Sequence, residues 1–134
     1  MYKRIYPLIP NHLGIMFERF CMQLIKENPG MLPFIPEKIG KHWSRVPGTK
    51  DQSYDIDIGA YDEKNILFCE CKWREKKISL EDYHSLVKRS GYLSYGDKTP
   101  YYCLFSKSGF EEDVENLKKD HVLLFPLQQI PFLL

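Results

Sequence analysis

The stretch Tyr54–Trp73, YDIDIGAYDEKNILFCECKW, restricts what this chain can fold into more than any other. It reads as two alternating strands separated by Asp62-Glu63-Lys64-Asn65, a polar break suited to a hairpin turn. Side chains alternate between the two faces of a strand. Asp55 and Asp57 therefore face one way and Ile56 and Ile58 the other, while Phe68, Glu70 and Lys72 share a face opposite Cys69 and Cys71. A turn centred between Glu63 and Lys64 sets Asp57 opposite Glu70 and Asp55 opposite Lys72. Two carboxylates and an ammonium then meet on one sheet face, where they suit a divalent metal and a polarised water.

Charged cross-strand pairs also occur on exposed sheet faces, where each contributes roughly 0.2–1 kcal/mol. The run ILFCECKW is otherwise central in character, so its Glu and Lys are costly to bury unless paired or bound to metal. Phosphodiester hydrolysis needs a nucleophilic water near phosphorus and charge relief at the leaving oxygen, and a hard divalent cation held by oxygen ligands supplies both. Asp57 and Glu70 suit direct ligation, and the Cys71 backbone carbonyl can complete the protein ligands. Lys72 can orient or help deprotonate water and stabilise phosphoryl charge. Glu18, if its helix packs on that face, can hold a water on the ion or a second ion.

The rest of the chain frames this hairpin. Residues 1–11 carry two prolines and read as an extended arm or linker remnant. A helix follows, with Asn11 as its cap and Leu13, Phe17, Phe20, Cys21, Leu24 and Ile25 as its apolar stripe, ending at Asn28-Pro29-Gly30. Met31–Pro36 is irregular. Glu37–Val46 makes a first strand, in which Trp43 reads as a packing residue and His42 as structural. After the hairpin, Ser79 caps a helix with Asp82 at its third position, Leu80, Tyr83, Leu86 and Val87 face inward, and Gly91 ends it. The helix dipole alone accounts for Lys88 and Arg89 at that end. Thr99–Ser106 is a buried strand, Phe110–Lys119 an amphipathic helix with Phe110, Val114 and Leu117 inward, and His121–Phe125 a last strand parallel to the previous one. Residues 126–134 form an apolar tail that packs back or joins an oligomer interface. The expected architecture is a single α/β domain over 1–134, a mixed central β-sheet flanked by α-helices.

Basic and acidic residues nearly cancel, 19 against 18, so any nucleic-acid partner must be held by a local patch rather than by net charge. Lys41, Arg45, Arg74 and Lys88 are the candidate backbone contacts. The four cysteines lack CxxC spacing and read as small buried thiols. There is no HExxH, P-loop or dinucleotide-binding glycine motif. The chain carries no signal peptide or membrane span and is expected to be soluble and cytoplasmic.

Three segments together, LGIMFE at Leu13–Glu18, IGKHW at Ile39–Trp43 and FCECKW at Phe68–Trp73, with DID at Asp55–Asp57 between them, resemble the PD-(D/E)xK or restriction-endonuclease-like superfamily. Within it they look most like DUF234, a small domain found at the C-terminus of archaeal and bacterial AAA-type ATPases. The likeness runs from about Leu13 through His121–Phe125. It implies a restriction-endonuclease-like core, with Asp57, Glu70 and Lys72 as the active-site signature, Glu18 as an additional acid and Asp55 as a flanking residue. It also implies cleavage of DNA that depends on Mg2+, with Mn2+ as a substitute. The chain departs from the family's architecture in having no Walker motifs of its own. The expectation is therefore a metal-dependent DNA endonuclease, acting on branched or damaged duplex and as a homodimer. The alternative is an inactive nuclease-fold module that binds nucleic acid or docks on a protein, as the accessory domain of an AAA-type ATPase.

Overall fold

The computed structural model describes residues 8–49, 52–118 and 121–127, with the backbone alone at 8–11 and 42–45. Helix α1 (Leu8–Glu27) leads into strands β1 (Lys38–Arg45), β2 (Ser53–Tyr61) and β3 (Asn65–Lys72). Helix α2 (Leu80–Ser90), strand β4 (Thr99–Ser106), the single turn α3 (Glu112–Glu115) and strand β5 (Val122–Pro126) follow. The five strands form one sheet in chain order. The first three run antiparallel, and β4 and β5 add in parallel through the α2 and α3 crossovers. This helix-led meander with a parallel extension is a mixed sheet flanked by helices, and the fold is α/β as expected.

Helix α1 begins three residues before its expected cap, so Asn11 lies inside it. Pro10 falls in the first turn, where a missing N–H forfeits no helical bond. Residues 1–7 of the expected arm lie outside the described residues. The helix stops where Asn28 turns both its backbone N–H and its side-chain amide onto the Leu24 carbonyl, at 2.9 and 3.0 Å. Of the apolar stripe, Phe17, Cys21, Leu24 and Ile25 are buried, whereas Leu13 is exposed. Helix α2 starts with the expected capping box: Ser79 accepts from the Asp82 N–H, and the Asp82 carboxylate accepts from the Ser79 N–H. It ends at Gly91 in ordinary right-handed geometry, so a left-handed residue is not the reason for glycine there. A Cβ at Gly91 would stand 3.2 Å from the Lys88 carbonyl oxygen, which is tight.

Of the expected Phe110–Lys119 helix, only the turn Glu112–Glu115 is helical among the described residues, and Lys119 lies outside them. Phe110 belongs instead to a parallel bridge with Ile78, in which Ile78 N–H donates to Gly109 and Glu111 N–H donates to the Ile78 carbonyl. Val114 is buried and Leu117 packs beside it, as the pattern predicted. Residues 128–134 of the apolar tail lie outside the described residues, while Leu127 packs against the α1 side of the sheet.

Two apolar layers sandwich the sheet. On one face α1 packs Phe17, Cys21, Leu24 and Ile25 onto Ile58, Leu67, Cys69, Cys71, Cys103 and Phe105. On the other, Leu86 of α2 and Val114 of α3 pack onto Ile56, Phe68, Leu104, Val122 and Leu124. All four cysteines are free and buried, as expected. No described helix is long and apolar enough to cross a membrane.

Candidate functional site

The hairpin turn is built as the sequence indicates. Asp62 Oδ1 accepts from the N–H groups of Lys64 and Asn65 at 2.8 and 2.7 Å, and the β2–β3 register runs Tyr61 to Ile66 through Ile58 to Cys69. That register is the one expected, and continuing it would set Asp57 opposite Glu70. The ladder ends at Ile58–Cys69, however, because a β-bulge interrupts β2. Gly40 pairs with Gly59 and His42 with Ile56, so Asp57 and Ile58 together stand against Lys41 of β1. The extra residue reverses the alternation. Ile56 then joins the α2 side of the core and Ile58 the α1 side, not the shared face that simple alternation predicted.

Asp57 sits on this bulge and is buried. Its Oδ2 accepts from the Cys71 N–H at 2.9 Å, taking over a donor released where the β2–β3 ladder stops. Burial, and then the nearby Glu70 charge, push the Asp57 carboxyl from 3.8 up to about 7, against the lowering effect of the Cys71 N–H. Asp55 does not pair with Lys72; it pairs with Trp43 of β1, and its carbonyl receives the Arg89 guanidinium.

Glu70 and Lys72 share a sheet face as expected, with Lys72 Nζ 3.3 Å from Glu70 Oε1. The other carboxylate oxygen, Oε2, pairs with Arg89 Nη2. Arg89 reaches in from the last turn of α2, donating through Nη1 to the Asp55 carbonyl at 3.0 Å and through Nε to the Ser85 carbonyl at 3.2 Å. The sequence signals missed its role, because a basic residue at a helix C-terminus already has a sufficient local explanation. The available hint was its position three residues after buried Leu86 and beside buried Ser90, which turns it towards the sheet.

Glu18 approaches from α1, and Lys41 Nζ lies 3.1 Å from its Oε1. That hydrogen bond holds the Lys41 ammonium above the usual lysine value. Ile15, Glu18, Arg19, Met22, Lys41 and Asp57 line a cleft of about 280 Å³ between α1 and the bulge. Glu18 and Asp57 thus share one opening, whereas Glu70 and Lys72 lie outside its lining. Asp57 is the link, since Glu18 and Glu70 both act on its charge.

Among the other basic candidates, Arg74 is committed to Asp82 and to the carbonyls of Lys76 and Lys77, so it braces the α2 cap. Lys88 is exposed. The side chains of Arg45, His42 and Trp43 lie outside the described residues.

The model of the DUF234 family, archaeal and bacterial proteins of unknown function, matches residues 1–84, which includes the helix glutamate, the DID strand and the ECKW strand. The chain belongs to the DUF234 family. No curated protein matches it in sequence. Among solved structures, this DUF234 chain is similar to a protein of unknown function, AF1548, with 14% identity and a TM-score of 0.54 over 85% of this chain and 58% of that one. Weaker likenesses reach a repair endonuclease from Pyrococcus abyssi, at 20% identity and a TM-score of 0.46 over 78% of this chain and 44% of that one. An EndoMS–double-stranded DNA complex gives 19% identity and a TM-score of 0.39 over 78% and 41%. The likeness to AF1548 concerns the fold.

The donors present in the DUF234 chain suit a hard divalent cation in kind. Asp57 and Glu70 are buried oxygen donors close enough to repel each other, and a cation between them would relieve that repulsion. As folded, those donors are occupied: Cys71 N–H holds Asp57, and Lys72 and Arg89 hold Glu70. Among the described residues no three His, Cys, Asp or Glu side chains are gathered tightly enough to cage an ion. The buried charges are nonetheless satisfied, since no buried side-chain N or O among the described residues lacks a hydrogen-bond partner. Pairing, the other escape foreseen for a buried Glu70, is therefore realised.

Proposed function

We propose that this chain is a metal-dependent endonuclease that hydrolyses DNA phosphodiester bonds, with branched or damaged duplex as its substrate. One observation carries the reading. A buried carboxylate pair, Asp57 and Glu70, sits where two strands part, with Lys72 Nζ 3.3 Å from Glu70. Asp57 and Glu70, with the Cys71 carbonyl, would hold Mg2+ or Mn2+. When bound, the ion would polarise water and offset phosphoryl charge.

The chain's own groups do the remaining work. Asp57, pushed up to about 7 chiefly by burial, must shed its proton to act as a ligand. Lys72 is placed to orient water against the phosphate and to stabilise negative charge as the leaving oxygen departs. Glu18 shares the cleft with Asp57, where it can hold a water on the ion or a second ion. Lys41 and Arg19 at the same cleft are placed for the DNA backbone, with Lys88 on the outer face of α2 as a further contact.

A second reading, a nuclease-fold module that binds nucleic acid or docks on an AAA-type ATPase without cutting, is favoured by the two cations already on Glu70. The experiment that separates them incubates labelled duplex, nicked and four-way-junction DNA with the protein and Mg2+ or Mn2+, beside Asp57→Ala and Lys72→Ala. Cleavage by the parent, lost in both variants, supports the nuclease. Absence of cleavage with every metal, together with DNA binding that survives Glu70→Ala, supports the docking module.

A further inference from the structure

The Arg89 guanidinium is fixed at three points: Glu70 Oε2, the Asp55 carbonyl at 3.0 Å and the Ser85 carbonyl at 3.2 Å. It spans the gap opened by the bulge, joining β2 through Asp55 to β3 through Glu70. The planar fork of arginine makes two such contacts at once, which a lysine ammonium on a flexible stem does not reproduce. Its side chain is 19% exposed and that of Glu70 only 6%, so the pair is largely withdrawn from solvent screening.

Charge counting shows what this arrangement does. With Asp57 ionised, Asp57 and Glu70 supply two negative charges, and Lys72 and Arg89 supply two positive ones. These four groups balance without a metal. A divalent ion added to all four groups would leave an excess of two positive charges in a poorly screened place, and both Glu70 oxygens are already taken, Oε1 by Lys72 and Oε2 by Arg89. Lys72 is the more exposed of the two cations.

We propose that Arg89 is a built-in counter-cation that stands in for the metal at Glu70, so that metal binding and the Arg89–Glu70 pair exclude each other. This rests on the metal-site reading given above. Arg89 holds Glu70 and the parted strands in place in the metal-free protein, and the ion must displace it. Once released from Glu70, the guanidinium keeps its anchors on the Asp55 and Ser85 carbonyls and stays beside the site.

Competition gives a sign that a purely structural role does not. Mn2+ binding by calorimetry is compared in the parent, Arg89→Gln and Arg89→Lys proteins, with circular dichroism to verify folding. Removing the competitor should tighten Mn2+ binding about tenfold in Arg89→Gln, within the usual range of coupling between linked sites. Arg89→Lys should fall between that variant and the parent. As a measurement independent of any variant's folding, Mg2+ is titrated into 15N-labelled parent protein while the Arg89 Nε signal is followed. It should shift and exchange faster as the Glu70 pair breaks. Unchanged or weaker Mn2+ binding by folded Arg89→Gln, or an Arg89 signal indifferent to Mg2+ in a parent that binds it, overturns the competition and leaves the metal site standing. A parent that binds neither ion overturns both.

Discussion

Replacing Asp57 with Asn should stabilise the metal-free protein at neutral and alkaline pH. The carboxyl titrates near 3.8 when unfolded and at about 7 when folded, chiefly because it is buried and secondly because Glu70 is close. A carboxyl whose folded value is raised binds its proton more tightly in the native state. Its stabilising contribution is complete below about pH 4 and is lost as pH rises through about 7. The gap of about three pH units, at about 1.4 kcal/mol each, sets a ceiling of about 4 kcal/mol for the penalty at alkaline pH. Asparagine removes the charge and still offers an oxygen to the Cys71 N–H, but it forfeits a charge-assisted bond worth on the order of 1 kcal/mol more than a neutral one. The net gain expected at pH 9 is about 2–3 kcal/mol, or a rise in Tm of roughly 8 °C for a chain of this size. Below pH 4 the two proteins should differ by less than about 1 kcal/mol. Thermal and urea unfolding in EDTA across pH 4–9, read as the difference between parent and variant, isolates this group from the other titrations. An Asp57→Asn protein less stable than the parent at pH 9, or a difference that does not change with pH, would refute the assignment of Asp57 as a desolvated carboxylate beside Glu70.

Two further outcomes follow from the scaffold. Ser79→Ala removes one half of the α2 capping box and should lower stability by about 1 kcal/mol in urea unfolding, with Ser79→Asp recovering most of the loss. The thiols of Cys21, Cys69, Cys71 and Cys103 are buried, and burial pushes those of Cys71 and Cys103 well above the ordinary cysteine value. They should not react with Ellman's reagent in the native protein at pH 8, and all four should react in denaturant.

Features encoded by neighbouring residues were legible in the sequence. The Asp62 turn, the β2–β3 register, the Ser79–Asp82 cap, β4 at Thr99–Ser106 and the parallel β5 depend on side chains a few positions apart, and all are present. What escaped depends on pairings across long sequence separations. The bulge at Asp57 and Ile58 is set by how β1 lies against β2, and it overrides the alternation that placed Ile56 with Ile58. The shortening of α3 follows from the bridge between Phe110 and Ile78, far apart in sequence. Glu70 and Lys72 stood out as candidates because they interrupt an otherwise apolar strand. Arg89 was not, because its partners Glu70 and Asp55 lie 19 and 34 residues away.

A cation site between Asp57 and Glu70, where β2 and β3 part, would show itself in the anomalous scattering of crystals grown with Mn2+. A manganese peak is expected within ligand distance of both carboxylates, with Arg89 withdrawn from Glu70 and no peak in Glu70→Gln crystals. A parent crystal that keeps the Arg89–Glu70 pair and shows no manganese between the two carboxylates would contradict it.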